Sequence, residues 1–310
     1  MTREKINWIE NLKVLGILAV ILGHIASPLG EFIFSWHMPL FFIIAGFFIN
    51  FDLSLGEYIT KNFKRLMIPY FLFALIGVFA TFLKNIFLAR EQLEVFHELK
   101  GIFIWMDMTS LMNSYAFVLW FLPALFFSKV LFYIINKYII NIFIQLTLII
   151  GLFYISFYIE VPFGIDNALN AMPFLFIGNK FFKSYQKSKL LYVLPFLIIC
   201  LFFIFEIPLL DMASKNFNNV IINILWSISI IYFFILVLKK IKSTNYLFQL
   251  WASNTMLLFI IHPYTNNIAN IGLKLFSFNY WYLELILTLT MLQIILILKS
   301  RYNKGIFKYV

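Results

Sequence analysis

The sequence has little charge and almost no cysteine. Only 12% of its 310 residues are charged, whereas a soluble domain carries about 25% charged residues. Its single cysteine, Cys200, excludes an intramolecular disulfide and a cysteine-rich metal site. The chain is 63% hydrophobic and has a mean hydropathy of +0.91. This composition is that of a polytopic membrane protein.

Several motifs of known enzyme classes are also missing. The sequence contains no Walker loop, no dinucleotide fingerprint, no HExxH and no GxSxG. His97 has Glu94 and Glu98 beside it, but this spacing does not supply the convergent ligands of a metal site. We therefore expect no metal, and we expect any chemistry to take place among the helices of one integral membrane domain spanning 1–310.

Long apolar runs make up most of the sequence. Their length, about 20 residues, suits helices that cross a hydrocarbon core of about 30 Å. The runs do not alternate apolar and polar residues as barrel strands do. We therefore predict an all-α polytopic membrane protein with about ten transmembrane helices. The predicted spans are 12–29, 32–49, 66–83, 117–135, 139–159, 168–182, 190–207, 220–238, 256–273 and 282–298.

The excess of positive charge indicates membrane topology. A formal net charge of +10 in a soluble chain would suggest a nucleic-acid partner, but here the distribution of the cations argues against one. If the N-terminus is cytoplasmic, 17 of the 24 Lys and Arg residues lie on the cytoplasmic side and five outside. This bias predicts that both termini are cytoplasmic. The longest outer segment, 84–115, includes a candidate interfacial amphipathic helix.

The first two predicted spans contain ionisable residues, which are energetically unfavourable in the bilayer. A lysine near the bilayer core costs at least ~2.5–3.5 kcal/mol, so such residues usually have a function. Lys13 and His24 are eleven positions apart, which places them on one helix face about 16.5 Å apart along the axis. Glu31 and His37 follow in the hairpin and the return span. An imidazole here is either a general base near neutral pH or a hydrogen-bonding partner of a neighbouring helix.

Four more residues in later spans are candidates for binding the acceptor or supporting the chemistry. Trp120 in WFLPALFF either contributes to a site or anchors the span at the interface. Asp166 and Asn170 are four apart and share a face. Asp166 either orients a histidine or an acceptor hydroxyl, or caps a helix, or both. His262, followed by Pro263, either hydrogen-bonds another helix or lines a central cavity.

A basic cluster precedes the third predicted span. Lys61, Lys64 and Arg65 lie in KNFKRLMIPY, on the predicted cytoplasmic side. Such cations usually set topology and contact lipid headgroups. Alternatively, they bind an anionic cofactor such as a phosphorylated nucleotide.

These motifs together resemble acyltransferase family 3, the bacterial membrane acyltransferases, and especially its fucose 4-O-acetylase-like branch. The motifs that match in order and spacing are IENLKVLGILAVILGH, FSWHMPLFFIIAGFF, KRLMIPY, LWFLPALFF, GIDNALNAMPFLFIGNKF and LFIIHPY. The resemblance covers nearly the whole chain. Lys13 stands where the family often has Arg, and a lysine lacks the planar, forked guanidinium of arginine. Glu10 stands where the family often has Asp.

The resemblance implies a function at the bacterial cytoplasmic membrane. A family member of this kind takes an acyl group, most often acetyl, from cytoplasmic acetyl-CoA and places it on a hydroxyl of a cell-surface or lipid-linked glycan. His24 is then the implied catalytic base and Lys13 its companion cation, while His37 and Asp166 fall in other family motifs. The polar face of the first span provides a path along which a pantetheine arm brings its thioester to His24.

Two other functions are compatible with the sequence. An exporter or flippase of a polysaccharide or its precursor also needs a polar interior, but such transporters often contain inverted repeats and this sequence shows none. A structural subunit of a glycan-assembly complex would not need Lys13 or His24 for anything but stability. The sequence does not specify the acceptor sugar, the acyl chain or the oligomeric state.

Overall fold

A computed structural model describes residues 7–181, 199–200, 206–241 and 246–301. Helices make up most of this part of the chain, as predicted. The α-helices are α1 (Asn7–Gly23), α2 (Gly30–Phe34), α3 (His37–Phe47), α4 (Leu55–Asn62), α5 (Ile68–Phe87), α6 (Val95–Lys100), α7 (Phe121–Tyr138), α8 (Ile142–Ile155), α9 (Ile165–Phe176), α10 (Val220–Lys239), α11 (Tyr246–Ser253), α12 (Thr255–Leu275) and α13 (Trp281–Arg301).

Short irregular helices and one small sheet complete the described structure. Three π-helical turns are Phe63–Met67, Gly101–Trp105 and Ile177–Phe181, and three 3₁₀ turns are Thr109–Leu111, Tyr115–Trp120 and Pro162–Gly164. Two short strands, β1 (Leu210–Asp211) and β2 (Asn216–Phe217), form a two-stranded sheet.

Five helical segments of the described chain are long and apolar enough to cross a membrane. They are Gly30–Phe47, Leu55–Phe87, Tyr115–Tyr138, Val220–Lys239 and Trp281–Arg301. Helix α8 is apolar but shorter. The predicted span 190–207 lies almost entirely outside the described residues, as do eight of the cations used to predict the topology. The number of ten spans and the cytoplasmic position of both termini remain predictions.

The chain divides into two compact units. One unit comprises Met1–Phe41, Ser188–Leu210 and Phe217–Val310, and the other comprises Phe42–Lys187 and Asp211–Asn216. In the first unit, α1 packs against α10, α11 and α12, and α12 packs against α13. In the second unit, α9 packs against both α7 and α8.

The first helical segment differs from its prediction at both ends. The prediction places a span over 12–29, whereas α1 begins at Asn7 and ends at Gly23. The His24 backbone N–H still donates to the Val20 carbonyl at 3.3 Å, so the last turn closes there. His24 is therefore the first residue after the helix and not a residue within it.

The second predicted span, 32–49, is broken into two helices. Between α2 and α3, the Ser35 hydroxyl donates to the Phe32 carbonyl at 2.6 Å. Two residues of α10 bind the same serine: the Trp226 indole donates to the Ser35 hydroxyl at 2.7 Å and the Ser227 hydroxyl donates to the Ser35 carbonyl at 2.6 Å. These bonds satisfy polar groups that the helix break exposes, and His37 starts the new helix.

The third predicted span, 66–83, is the middle of a longer helical segment. Ser54 and Glu57 form a capping box that starts α4, since the Ser54 hydroxyl accepts from the Glu57 N–H and the Glu57 carboxylate accepts from the Ser54 N–H. The π turn Phe63–Met67 then joins α4 to α5, just before Pro69. Pi turns inside α-helices are frequent at functional sites.

A close backbone contact joins α3 to the helical segment formed by α9 and the π turn after it. A methyl group on Gly46 would lie 2.1 Å from the Leu175 carbonyl oxygen, and one on Gly178 would lie 2.0 Å from the Ile43 carbonyl oxygen. The Asn179 side-chain amide also donates to the Gly46 carbonyl at 3.1 Å. Small residues at such positions let membrane helices approach closely.

Candidate functional site

Three of the four histidines of the chain lie together in the unit that contains α1. The rings of His24 and His262 have centroids 5.1 Å apart, with planes tilted by 35°. The ring of Phe34 lies edge-on to His24 at 6.0 Å and to His37 at 5.2 Å. His37 and His262 are buried, with 2% and 0% exposure, and His24 is half-buried.

The sequence around His262 determines which of its ring nitrogens carries the proton. Pro263 has no N–H, so the helix leaves the Phe259 carbonyl, four residues earlier, without its usual donor. The His262 Nδ1 lies 2.7 Å from this carbonyl oxygen. Because a carbonyl oxygen only accepts, Nδ1 carries the proton and Nε2 carries a lone pair. Nε2 is buried and has no hydrogen-bond partner among the described residues.

His37 has the same arrangement. Its Nδ1 lies 2.8 Å from the Ile33 carbonyl oxygen, one turn earlier. Nδ1 is therefore again the donor, and Nε2 is the nitrogen that is able to accept a hydrogen bond. Two buried imidazoles of the cluster thus present Nε2 as a hydrogen-bond acceptor.

Hydrogen bonds between helices hold this cluster in place. The Asn266 side-chain amide donates to the Ile21 carbonyl at 3.1 Å. Asn266 lies one turn after His262 in α12, and Ile21 lies three residues before His24, so this bond ties together the two elements that carry the paired rings. Within α12, the Thr265 hydroxyl donates to the His262 carbonyl at 3.1 Å.

The other predicted residues of this unit lie apart from the ring cluster or at its edge. Lys13 is in α1 and forms an ion pair with Glu10 at 2.9 Å. The two residues of the predicted acid–cation pattern thus contact each other, and the helical rise separates Lys13 from Gly23 by about 15 Å along the axis. Glu31 is exposed in the first turn of α2.

In the other unit, the predicted basic cluster surrounds a lysine that the prediction did not include. Lys61, Lys64 and Arg65 are exposed at the junction of α4 and the π turn. Lys129, in α7, is half-buried and donates to the side-chain oxygen of Asn62.

The Lys129 ammonium contacts neutral groups of the described residues. The Asn62 amide donates to the Tyr58 carbonyl at 2.8 Å, which turns its oxygen toward Lys129. The ammonium also lies 5.9 Å from the centroid of the Tyr58 ring, within cation–π range. Lys61 and Arg65 carry the same charge in the segment that also contains Asn62. In the described part of the chain, none of these three cations forms an ion pair with a carboxylate.

One sequence signal for this site was available. Lys129 interrupts the apolar helix 117–135, and a cation inside a span is a candidate functional residue on its own. Its position relative to Asn62 is a tertiary contact that sequence spacing does not reveal.

Asp166 is engaged in an ion pair in the same unit. Its carboxylate accepts from Lys215 at 2.6 Å, and Lys215 also donates to the Ile159 carbonyl at 3.0 Å. The alternative that Asp166 caps the helix is wrong, because the N-cap of α9 is Gly164 and Asp166 lies in the first turn. Asn167 donates to the carbonyls of Met212 and Ala213, so the 211–216 loop is fastened to the start of α9.

Two further predicted residues lie in this second unit. Asn170 is fully buried and its amide donates to the Ser156 hydroxyl at 3.2 Å, while its side-chain oxygen has no partner among the described residues. Trp120 is buried at the end of the 3₁₀ turn and packs against Phe121. Trp120 therefore lies inside the protein in this structure.

Comparison with protein families places the chain in a known family. The family model described as "Acyltransferase domain" matches residues 6–300. Comparisons with curated proteins and with solved structures found no match. The family match covers nearly the whole chain, including both the histidine cluster and the basic cluster, and the helices are those of a membrane protein. The chain therefore belongs to the acyltransferase family that its motifs predict, acyltransferase family 3, and it is a membrane acyltransferase.

Proposed function

We propose that the protein is an O-acetyltransferase that moves an acetyl group from cytoplasmic acetyl-CoA to a hydroxyl of a cell-surface or lipid-linked glycan, with His24 as general base. The observation that carries this proposal is the convergence of His24 with His37 and His262 inside a membrane acyltransferase. His24 is the half-buried member of the cluster, so a substrate is able to reach it while its neighbours stay fixed.

The proposed reaction uses a single proton acceptor. A ring nitrogen of His24 accepts the proton of the acceptor hydroxyl while the hydroxyl oxygen forms a bond to the thioester carbonyl carbon. The carbon–sulphur bond then breaks, and His24 returns the proton to the sulphur, which leaves as the free thiol of coenzyme A. In an alternative mechanism, the acetyl group is transferred first to His24, as a covalent intermediate, and then to the acceptor hydroxyl. Exclusion of water between helices limits hydrolysis of the thioester.

The basic cluster supports the choice of donor. Coenzyme A carries several phosphate charges, and Lys61, Arg65 and Lys129 have no carboxylate partner among the residues that the structure describes. Charge-assisted bonds to phosphate oxygens suit such a group. We propose that Lys129 and the exposed cations beside it bind the donor phosphates.

The proposed activity is tested with purified protein in detergent, where there is no membrane to cross. Acetyl-CoA serves as donor, p-nitrophenyl glycosides serve as acceptors, and released thiol is measured. We expect His24→Ala to lower the rate by at least about 100-fold, because general base catalysis contributes about 10²–10⁴-fold. His97→Ala, at an exposed histidine of α6, is the matched control and should keep full activity.

Transfer by wild-type protein in detergent would argue against the exporter and flippase functions. Retained transfer in His24→Ala would remove His24 from the mechanism. In cells, mass spectrometry of surface glycans from a deletion strain and its complemented strain would identify the acceptor sugar and the acyl chain.

Donor binding is tested separately at Lys129. We expect Lys129→Met to raise the KM for acetyl-CoA by about 10-fold or more, because hydrogen bonds to charged groups are worth about 1.5–3 kcal/mol. Lys137→Met removes the same charge from an exposed position of α7 and should leave KM unchanged. An equal effect of both substitutions would show that only net charge matters, and no effect of Lys129→Met would remove Lys129 from the donor site.

A further inference from the structure

His262 has a buried ring nitrogen that the proposed reaction does not yet use. Its Nε2 has no partner in the described residues, and the ring is 0% exposed. A buried acceptor without a partner costs about 1–3 kcal/mol, so a residue that keeps one is expected to use it at some stage of function. The centroid of the His24 ring lies 5.1 Å from that of the His262 ring.

The separation of the two rings matches a nitrogen-to-nitrogen hydrogen bond. Each ring nitrogen lies about 1.2 Å from its centroid, and an N–H···N bond spans about 2.9 Å, so two bonded imidazoles have centroids about 5.3 Å apart. The observed distance is 5.1 Å and the planes are tilted by 35°. The two rings are therefore close enough for a ring N–H of His24 to donate to Nε2 of His262.

The surroundings of His24 favour a hydrogen bond to His262 over a hydrogen bond to His37. The ring of Phe34 contacts both His24 and His37 edge-on, at 6.0 and 5.2 Å, and therefore lies beside both of them. His262 makes direct ring contact with His24. Its own Nδ1–H is bound to the Phe259 carbonyl, which keeps Nε2 as the accepting nitrogen.

We propose that His262 is a positioning residue for His24: its Nε2 accepts a hydrogen bond from one ring N–H of His24 and thereby makes the other His24 nitrogen the one that takes the proton of the acceptor hydroxyl. This inference rests on the proposed function of His24 as general base. In the reaction, the hydroxyl proton goes to this other nitrogen of His24 and then to the thiolate sulphur of the leaving coenzyme A. The proton shared with His262 stays on His24, so charge and protons balance.

This arrangement gives His262 the role that a carboxylate has in other acid–base pairs. A second group that orients the base selects its tautomer and stabilises the imidazolium that forms. A neutral imidazole does this without placing a negative charge among apolar helices, where charge is costly.

Two substitutions separate the accepting nitrogen from the bulk of the side chain. In His262→Gln, the amide oxygen is able to reach the position of Nε2. In His262→Asn, the shorter side chain reaches only the position of Nδ1 and is able to bond the Phe259 carbonyl. We expect His262→Asn to lower kcat by about 10- to 100-fold with KM for acetyl-CoA unchanged, and His262→Gln to stay within about 5-fold of wild type.

A second measurement does not depend on acyl transfer. Diethyl pyrocarbonate modifies neutral imidazole nitrogens, and peptide mass spectrometry gives the rate at each histidine. His24 should react several-fold faster in wild type and His262→Gln than in His262→Asn, since the hydrogen bond to position 262 makes the other ring nitrogen of His24 more nucleophilic. His97, on exposed α6, is the internal standard and should react equally in all three proteins.

The outcomes distinguish the two proposals. Equal His24 modification rates in the three proteins would overturn the role of His262, as would equal loss of kcat in His262→Gln and His262→Asn at equal thermal stability. If wild type transfers no acetyl group but His24 reacts more slowly in His262→Asn alone, the histidine pair stands and the proposed acetyltransferase activity fails.

Discussion

The contact between Gly46 and Leu175 gives the sharpest prediction about stability. In Gly46→Ala, the new methyl carbon would be placed 2.1 Å from the Leu175 carbonyl oxygen. A carbon and an oxygen in contact normally lie about 3.3 Å or more apart. The two helices must therefore move apart by about 1.2 Å at this point. The obstructing atom belongs to the backbone, so no side-chain rotation is able to relieve the clash.

The cost of this substitution follows from what the movement disrupts. Overpacking costs about 1–3 kcal/mol, occasionally more. Separation of the helices also stretches the hydrogen bond from Asn179 to the Gly46 carbonyl, which is 3.1 Å long, and such a bond is worth about 1 kcal/mol. We expect a total loss of about 3 kcal/mol in the free energy of unfolding. With about 2.1 cal/mol/K of unfolding entropy per residue, a loss of this size lowers the Tm of a 310-residue chain by about 5 °C.

A thermal-stability assay on detergent-purified protein measures this change. Gly151→Ala is the matched control, because Gly151 lies in α8 with nothing within 4 Å of the added methyl group. Alanine is favoured over glycine in a helix by about 0.5–1 kcal/mol, so this control should melt at the wild-type temperature or slightly above it. If Gly46→Ala melts together with Gly151→Ala, the helix backbones do not meet at Gly46 and the inferred packing is wrong.

Three further predictions concern other contacts. Lys215→Ala leaves the Asp166 carboxylate, which is 6% exposed, without its cation, so the free energy of unfolding should fall by about 3 kcal/mol. Adding Asp166→Asn should recover part of that loss in a double-mutant cycle measured by Tm. Strictly additive losses would show that the two residues are not coupled. Trp226→Phe removes the donor to the buried Ser35 hydroxyl and should cost about 1 kcal/mol, and an unchanged Tm would contradict the bond. Burial raises the pKa of the Glu98 carboxyl. The folded state therefore binds this proton more tightly than the unfolded state does. The free energy of unfolding thus falls as the pH rises from the pKa of the unfolded state through that of the folded state. Glu98→Gln should thus raise Tm at neutral pH but not below about pH 4, where a free glutamate is already protonated, and an equal gain at both pH values would show that ionisation is not the cause.

The sequence predicted the type of the elements better than their ends. Apolar runs indicate helices because a lipid environment requires internal backbone hydrogen bonds. Hydropathy does not reveal where a helix leaves the apolar region. The predicted span 66–83 therefore missed the polar start of its helical segment at Leu55, although the capping residues Ser54 and Glu57 are visible in the sequence. The break at Ser35 depends on bonds from α10, so no local pattern predicts it.

The candidate residues were predictable one by one, but their grouping was not. Periodicity relates residues within a helix, as it did for Lys13 and His24, but it does not relate two helices far apart in sequence. The pairing of His24 with His262 depends on how α12 packs against α1, through contacts such as that of Asn266 with the Ile21 carbonyl. The place of Lys129 beside Asn62 has the same origin.

The end of α1 at Gly23 separates two kinds of sequence change. One residue inserted between Lys13 and Gly23 would rotate the Lys13 ammonium by about 100° and displace it by about 1.5 Å relative to His24. The imidazole rings would keep their arrangement, because the Asn266 bond holds the end of α1 where they meet. An insertion in the turn after His24 would instead leave the register of the lysine intact and displace Phe34 and His37. Length variation on either side of Gly23 thus probes the cation and the ring cluster independently.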